Sequence, residues 1–310
     1  MDLSSIDLVT LVAALMVAST PILLAAIGEL VVEKSGVLNL GVEGMMITGA
    51  ITGFMGAVAT GSPVFGFLFA ALSGAGMAFL FGFLTQYLLS NQVATGLALT
   101  LFGLGLSSML GQGYQGVRPP STPRLDIPVL SDIPVLGRMF FSHDLMVYLS
   151  LALIVLVWAL LKFTRAGLIL RAVGESHDAA HALGFKVVRI RMLAIMFGGA
   201  CAGLGGAYLS LVRVPQWADG MTAGAGWIAL AIVVFASWKP IWILVGAYLF
   251  GGMTVLQLKL QVANIPVPVE YLSMAPFVIT ILVMVVVSAL RGPGFVGAPA
   301  ALTKVFHASN

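Results

Sequence analysis

The chain has 310 residues, 60% hydrophobic and 9% charged, with a net charge of +3 at pH 7. A soluble domain carries roughly 25% charged residues, so this chain cannot clothe a water-facing surface, and a mean hydropathy of +1.07 makes lipid its solvent. The small positive excess calls for no nucleic acid, the lone Cys201 cannot close an intrachain disulfide and reads as a small core residue, and the first residues, with Asp2 and Asp7, lack the basic region of a cleavable signal.

Apolar runs of about 20 residues, enough to cross a bilayer, predict an all-α polytopic membrane protein of about nine spans, in a range of roughly eight to ten. In chain order the spans are 8–31 (with Pro21 as a kink), 42–60, 64–89 and 93–110. A loop over 111–143 follows, too rich in proline (Pro119, Pro120, Pro123, Pro128, Pro134) for a long helix. Spans 144–161 and 192–212 flank a basic island at 162–191, and a polar loop with Arg213, Gln216, Trp217 and Asp219 leads to a short span at 226–238. The last two spans are 241–258 and 269–290. The stretches near 35–41 and 226–238 are candidates for re-entrant segments. Residues 41–57 and 224–252 both begin at a Gly-rich polar break, the pattern of an inverted repeat.

Lysine and arginine set the orientation. Lys162, Arg165, Arg171, Lys186, Arg189 and Arg191 lie in the island, which places it in the cytoplasm, and alternation then brings Lys34, Lys239, Arg291 and Lys304 to the same side. Arg118, Arg124, Arg138, Arg213 and Lys259 fall outside. The N-terminus is expected outside and the C-terminus in the cytoplasm.

The island, KFTRAGLILRAVGESHDAAHALGFKVVRIR, is polar and helix-forming between two apolar stretches, which suits a docking site for a soluble partner. Within it 176–184 reads as a short helix, with Ser176 as N-cap, Asp178 in the first turn and Gly184 just past the end. Ala179, Ala180 and Leu183 form a small apolar knob. His177 and His181 have metal-ligand spacing on a helix, but no third ligand is placed beside them.

Two polar groups lie against the apolar background. In EKSGVLNLGVEGMM (33–46), Asn39 and Glu43 stand among glycines that free the backbone from helical geometry. They read either as groups facing an aqueous path or as an interfacial turn with Glu43 favoured by the helix dipole. Asn91, Gln92 and Thr95 open the fourth span, either as caps or as hydrogen-bonding groups for a neutral polar solute. Trp227 reads as a stacking platform for a planar solute or as an interfacial anchor. The chain holds no G-x-x-x-x-G-K-[ST], H-E-x-x-H, G-x-S-x-G or C-x-x-C, and its Gly203–Gly206 run is helix-packing sequence.

At three places the chain resembles the membrane permease of bacterial ABC importers of the branched-chain amino acid, ribose and nucleoside group, closest to the nucleoside branch. They are SGVLNLGVEGMMITGA (35–50), RAVGESHDAAHALGFKV (171–187) and GMTAGAGWIALAIVVFASWKP (220–240). The resemblance implies one transmembrane permease domain over 1–310, with an extracytoplasmic loop at 111–143 and a cytoplasmic coupling loop at 162–191. It implies that Gly174, Glu175, Ser176, Asp178, Ala179, Ala180, Leu183 and Gly184 couple to a cytoplasmic ABC ATPase, commonly two ATP-binding halves in one chain. No cofactor is bound by the permease itself, and ATP and magnesium belong to the ATPase. A second similar permease and an extracytoplasmic solute-binding lipoprotein complete such an importer in the inner membrane. The cargo expected is a nucleoside, with a branched-chain amino acid or a sugar as the alternative. A stand-alone secondary transporter, with Glu29 and Glu43 as its intramembrane carboxylates, and a membrane enzyme built on His177, Asp178 and His181 are the rival readings.

Overall fold

A computed structural model describes residues 8–126, 131, 133–262, 268–290 and 297–306. The described chain is almost wholly helical, as an uninterrupted apolar sequence in lipid requires, because helices satisfy their own backbone groups. The helices are α1 (Leu8–Lys34), α2 (Val42–Thr60), α3 (Pro63–Gly82), α4 (Gln92–Gly111), α5 (Leu136–Phe140), α6 (Leu145–Phe163), α7 (Arg165–Glu175), α8 (His177–Ala182), α9 (Val187–Tyr208), α10 (Ala225–Phe235), α11 (Pro240–Val262) and α12 (Val269–Leu290). Each of the nine predicted spans corresponds to one of these helices. Seven of them are long and apolar enough to cross a membrane among the described residues, whereas α10, with 11 residues, is too short.

Local chemistry explains several boundaries. α1 continues through Pro21, and just before it the hydroxyls of Ser19 and Thr20 donate to the carbonyls of Leu15 and Met16, each at 2.8 Å. α3 and α9 each run on into a π-helical turn, Phe83–Tyr87 and Leu209–Arg213. α6 is capped by Asp144, whose carboxylate accepts from the amides of Met146 and Val147, while Tyr208 donates to its other oxygen at 2.7 Å.

Among its described residues the Pro-rich loop holds only short elements and no long helix, in keeping with its prolines. Arg124–Asp126 (β1) pairs antiparallel with Ser142–Asp144 (β2), and α5 lies between them in sequence. Pro128 and Arg291 lie outside the described residues, as do Asp2 and Asp7. The sixth span corrects the sequence-based boundary: α9 begins at Val187, not at 192. The last five residues of the basic island thus belong to α9, and Arg191 among them is fully buried and hydrogen-bonded.

α1, α2, α3 and α9 form the packed centre. Gly49 faces Gly203 and Gly53 faces Ala207, so α2 and α9 advance in the same direction. Ala70 meets Gly203 and Gly82 meets Met192, so α3 runs against them. By contrast the outer faces of α3 and α4 expose Phe65, Leu68, Leu72, Leu101 and Phe102. That inversion of the soluble pattern is expected where lipid or a membrane partner is the solvent.

Candidate functional site: two helix N-termini joined at Glu43

After Lys34 the chain does not leave the helical bundle. It turns through Gly36, at φ +86°, and climbs back beside the end of α1. The backbone of 35–41 is not helical, so its polar groups need partners inside the protein. They have them. The Leu38 amide donates to Gln92 Oε1 at 2.9 Å and the Asn39 amide to Glu29 Oε1 at 3.3 Å. Asn39 Oδ1 accepts from the Gly41 amide at 3.0 Å. The Leu40 carbonyl accepts from Thr100 at 3.1 Å and from the Trp227 indole at 3.4 Å. Segment 35–41 is therefore an extended lead-in to α2, held by α1, α4 and α10.

α2 then starts within the bundle, with Glu43 in its first turn. The Glu43 carboxylate reaches across to the start of α10. Its Oε1 accepts from the Thr222 hydroxyl at 2.6 Å and the Gly224 amide at 2.9 Å, and its Oε2 from the Gly226 amide at 2.7 Å. Gly224 caps α10 at φ +83°, and no side chain of its own segment caps that helix. One buried carboxylate thus satisfies donors that α10 leaves open, and it sits where the positive ends of two helices meet. From this junction α2 runs toward the end that carries Ala207, and α10 runs the opposite way to Trp238, whose indole donates to Glu33 Oε2 at 2.5 Å. Two Gly-rich breaks, one from each end of the bundle, bring two broken helices N-terminus to N-terminus. Transporters use such discontinuous helices at the bilayer midplane.

The six candidate path residues separate. Asn39, Glu43 and Gln92 are buried, at 0, 3 and 4% exposure, and each holds backbone in place. Asn91 is an exposed N-cap of α4, accepting from the Ala94 amide at 3.0 Å, and Thr95 bonds to Ser90 at 2.8 Å. Trp227 is the one of the six that presents a large apolar face, 45% exposed in the first turn of α10. Asn39, Glu43, Gln92 and Trp227 meet around segment 35–41, whereas Asn91 and Thr95 serve the start of α4. Thr100 and Thr222 complete the junction, Glu33 holds the far end of α10 through Trp238, and none of the three was singled out from sequence. For Thr222 the signal was present, a lone hydroxyl inside the Gly-rich break GMTAGAG.

The other predicted element lies at the Lys34 end. Between α6 and α9 this stretch forms two helices, α7 and α8, of which α8 is the predicted one. α7 is capped by Thr164, which accepts from the Gly167 amide, and α8 by Ser176, which accepts from the Ala179 amide at 3.3 Å. Gly184, at φ +87°, closes α8, with its amide bonded to the His181 carbonyl at 2.8 Å. Leu183 is 75% exposed, Ala179 and Asp178 are exposed, and Ala180 is buried against Val173, Val187 and Phe306. The Gly174 carbonyl accepts from the Ala301 amide, and the Glu175 carboxylate from that of Ala300. α8 is thus a small knob on a firm base. Its His177 is buried beside the Arg191 guanidinium, and both effects push its pKa below the ordinary value, keeping the ring neutral. No group of three metal-ligating side chains occurs among the described residues.

A family model described as "Branched-chain amino acid transport system / permease component" matches residues 11–290. The nucleoside ABC transporter permease protein NupC of Lactococcus lactis is 33% identical over 88% of this chain and 90% of its own length. The guanosine ABC transporter permease protein NupQ of Bacillus subtilis is 32% identical over 88% and 90%. TsgC13 of Haloferax volcanii, a candidate glucose ABC transporter permease protein by its name, is 44% identical over 79% of this chain and 75% of its own. No solved structure matches the chain.

Proposed function

The chain belongs to the family of branched-chain amino acid transport system permease components, and on that premise we propose that it forms one half of an ATP-driven import path for nucleosides. The observation that carries the reading is the family match across 11–290, joined to near full-length similarity to two nucleoside-type permeases. The chemistry of the junction supports a neutral cargo. Glu43 is buried and engaged by three donors at the start of α10, so both its oxygens are committed within the protein, while the exposed Trp227 ring beside it offers a face on which a planar base can stack.

In this reading the chain is a multi-pass membrane protein that performs no chemistry itself. ATP and magnesium are held by a cytoplasmic ATPase with two ATP-binding halves, which docks on α8. A second similar permease supplies the other half of the path, and an extracytoplasmic lipoprotein delivers the solute. The Lys34 end is cytoplasmic, since most lysines and arginines gather there, and the β1–β2 pair is outside. Nucleotide shifts the inward–outward equilibrium only through unequal affinity for the two states.

Labelled adenosine and uridine uptake, competed with unlabelled glucose, tests the cargo. Saturable nucleoside uptake that glucose does not compete supports the reading. Glucose uptake without nucleoside uptake transfers the chain to the sugar branch, which the 44% identity to TsgC13 favours. The docking assignment has its own test in Gly184→Glu. The left-handed backbone there disfavours any side chain by about 1–2 kcal/mol, and open space surrounds the position, so the carboxylate projects from the knob. Uptake should fall about tenfold or more with the protein still in the membrane. Wild-type uptake would remove α8 from the coupling path.

A further inference from the structure

Arg191, near the start of α9, is a fully buried cation whose hydrogen-bond partners are all neutral acceptors from four different segments. Its Nε donates to the Ser35 carbonyl at 3.1 Å, at the start of the extended segment 35–41. Its Nη1 donates to Gln86 Oε1 in the π-turn after α3, at 3.4 Å, and to the Lys304 carbonyl at 3.3 Å. Its Nη2 lies 3.4 Å from His177 Nδ1 in α8. Arginine can only donate, so Nδ1 of that ring is the acceptor and the proton sits on Nε2, which faces Asp178 Oδ1 at 3.5 Å.

The C-terminal segment 297–306 braces the same spot. Phe306 packs edge-on against both His177 and His181, with ring centroids 5.4 and 5.3 Å away. Lys34 donates to the Gly297 carbonyl at 3.1 Å, so the end of α1 joins the assembly. One rigid planar side chain therefore spans from the exposed knob to the first residue of the segment that holds α2 and α10 in register. A buried guanidinium cannot release these acceptors one at a time without leaving donors unpaired, so its partners move with it.

We propose that Arg191 is the positioning residue that carries displacement of α8 to segment 35–41, with 297–306 as the strap that keeps α8 seated on it. The proposal rests on the reading of α8 as the ATPase contact. It predicts that Arg191 matters for coupling rather than for ATP hydrolysis.

The test uses the assembled complex, with uptake and ATP hydrolysis measured in sealed proteoliposomes and peptide hydrogen exchange in nanodiscs, for wild type, Arg191→Met and Arg191→Lys. In wild type, ATP should change exchange at both 177–182 and 35–41. In Arg191→Met the change at 177–182 should remain and that at 35–41 should vanish, with uptake per ATP down about tenfold. Arg191→Lys, which keeps the charge but fewer donors, should fall between. Persistence of the 35–41 response in Arg191→Met overturns the relay, as does a wild-type response confined to 177–182. If the Met variant does not assemble, the Lys variant decides by the same two readouts, and failure of both to assemble makes Arg191 a folding residue only. A wild-type complex with no ATP response at 177–182 instead removes the reading of α8.

Discussion

Replacement of Glu43 by leucine should cost the protein its fold rather than its cargo. Leucine fills similar space but accepts nothing, so the buried Thr222 hydroxyl and Gly226 amide and the half-buried Gly224 amide lose their partner. Each buried donor left unsatisfied costs about 1–3 kcal/mol, so the two fully buried ones, Thr222 and Gly226, come to on the order of 2–6 kcal/mol, a large share of the stability of a whole domain. The visible result should be aggregated protein on size-exclusion in mild detergent and a sharply lowered thermal midpoint. Glu43→Gln is the graded control. Its carbonyl can serve Thr222 and Gly224, but its amide would face the Gly226 N–H donor to donor, so it should fall between wild type and leucine. If Glu43→Leu is monodisperse and thermally normal yet takes up no solute, the carboxylate belongs to the path and not to the α10 cap.

A comparably large effect is expected from Gly206→Leu in α9. A Cβ there would overlap the Met46 carbonyl oxygen and crowd the Ala50 amide, so the backbones of α2 and α9 are in contact at this point. Backbone is not a flexible neighbour, and separating the helices would also open the Gly49–Gly203 contact one turn away. In lipid, where apolar surface gains nothing by leaving its solvent, such close packing is a main source of helix association. Gly206→Leu should give little or no folded protein, whereas Gly76→Leu, on the open face of α3 with nothing within 4 Å of its Cβ, should fold at wild-type yield. Replacing that exposed helical glycine even favours the helix by a fraction of about 1 kcal/mol. Equal behaviour of the two variants in a parallel expression and melting series would refute the claim that α2 and α9 meet backbone to backbone.

The spans were legible because they rest on one physical property, the run of apolar residues a bilayer demands. Boundaries at 42–60 and 269–290 coincide with α2 and α12. The cap of α8 was legible too, since serine and glycine act there through their own backbone neighbours. Legibility failed where a charge was buried against expectation. Arg191 was read as part of the basic island, and only its partners Ser35, Gln86, His177 and Lys304 show that it lies buried inside α9. The paired alternatives for Asn39 and Glu43 also stayed open, because a sequence shows that a polar residue is present but not what it touches.

From sequence alone came the lipid solvent, the order of the spans, the short capped helix at 176–184 and the family resemblance, all of which depend on local pattern. Tertiary structure decided that Glu43 caps a helix nearly two hundred residues away in the chain, the Glu43–Gly226 bond spanning 183 positions. It likewise decided that the segments at 35–41 and 214–224 enter from opposite ends to bring two helix N-termini together. Those facts hinge on which donors lack partners once the helices are packed, and that deficit exists only in three dimensions.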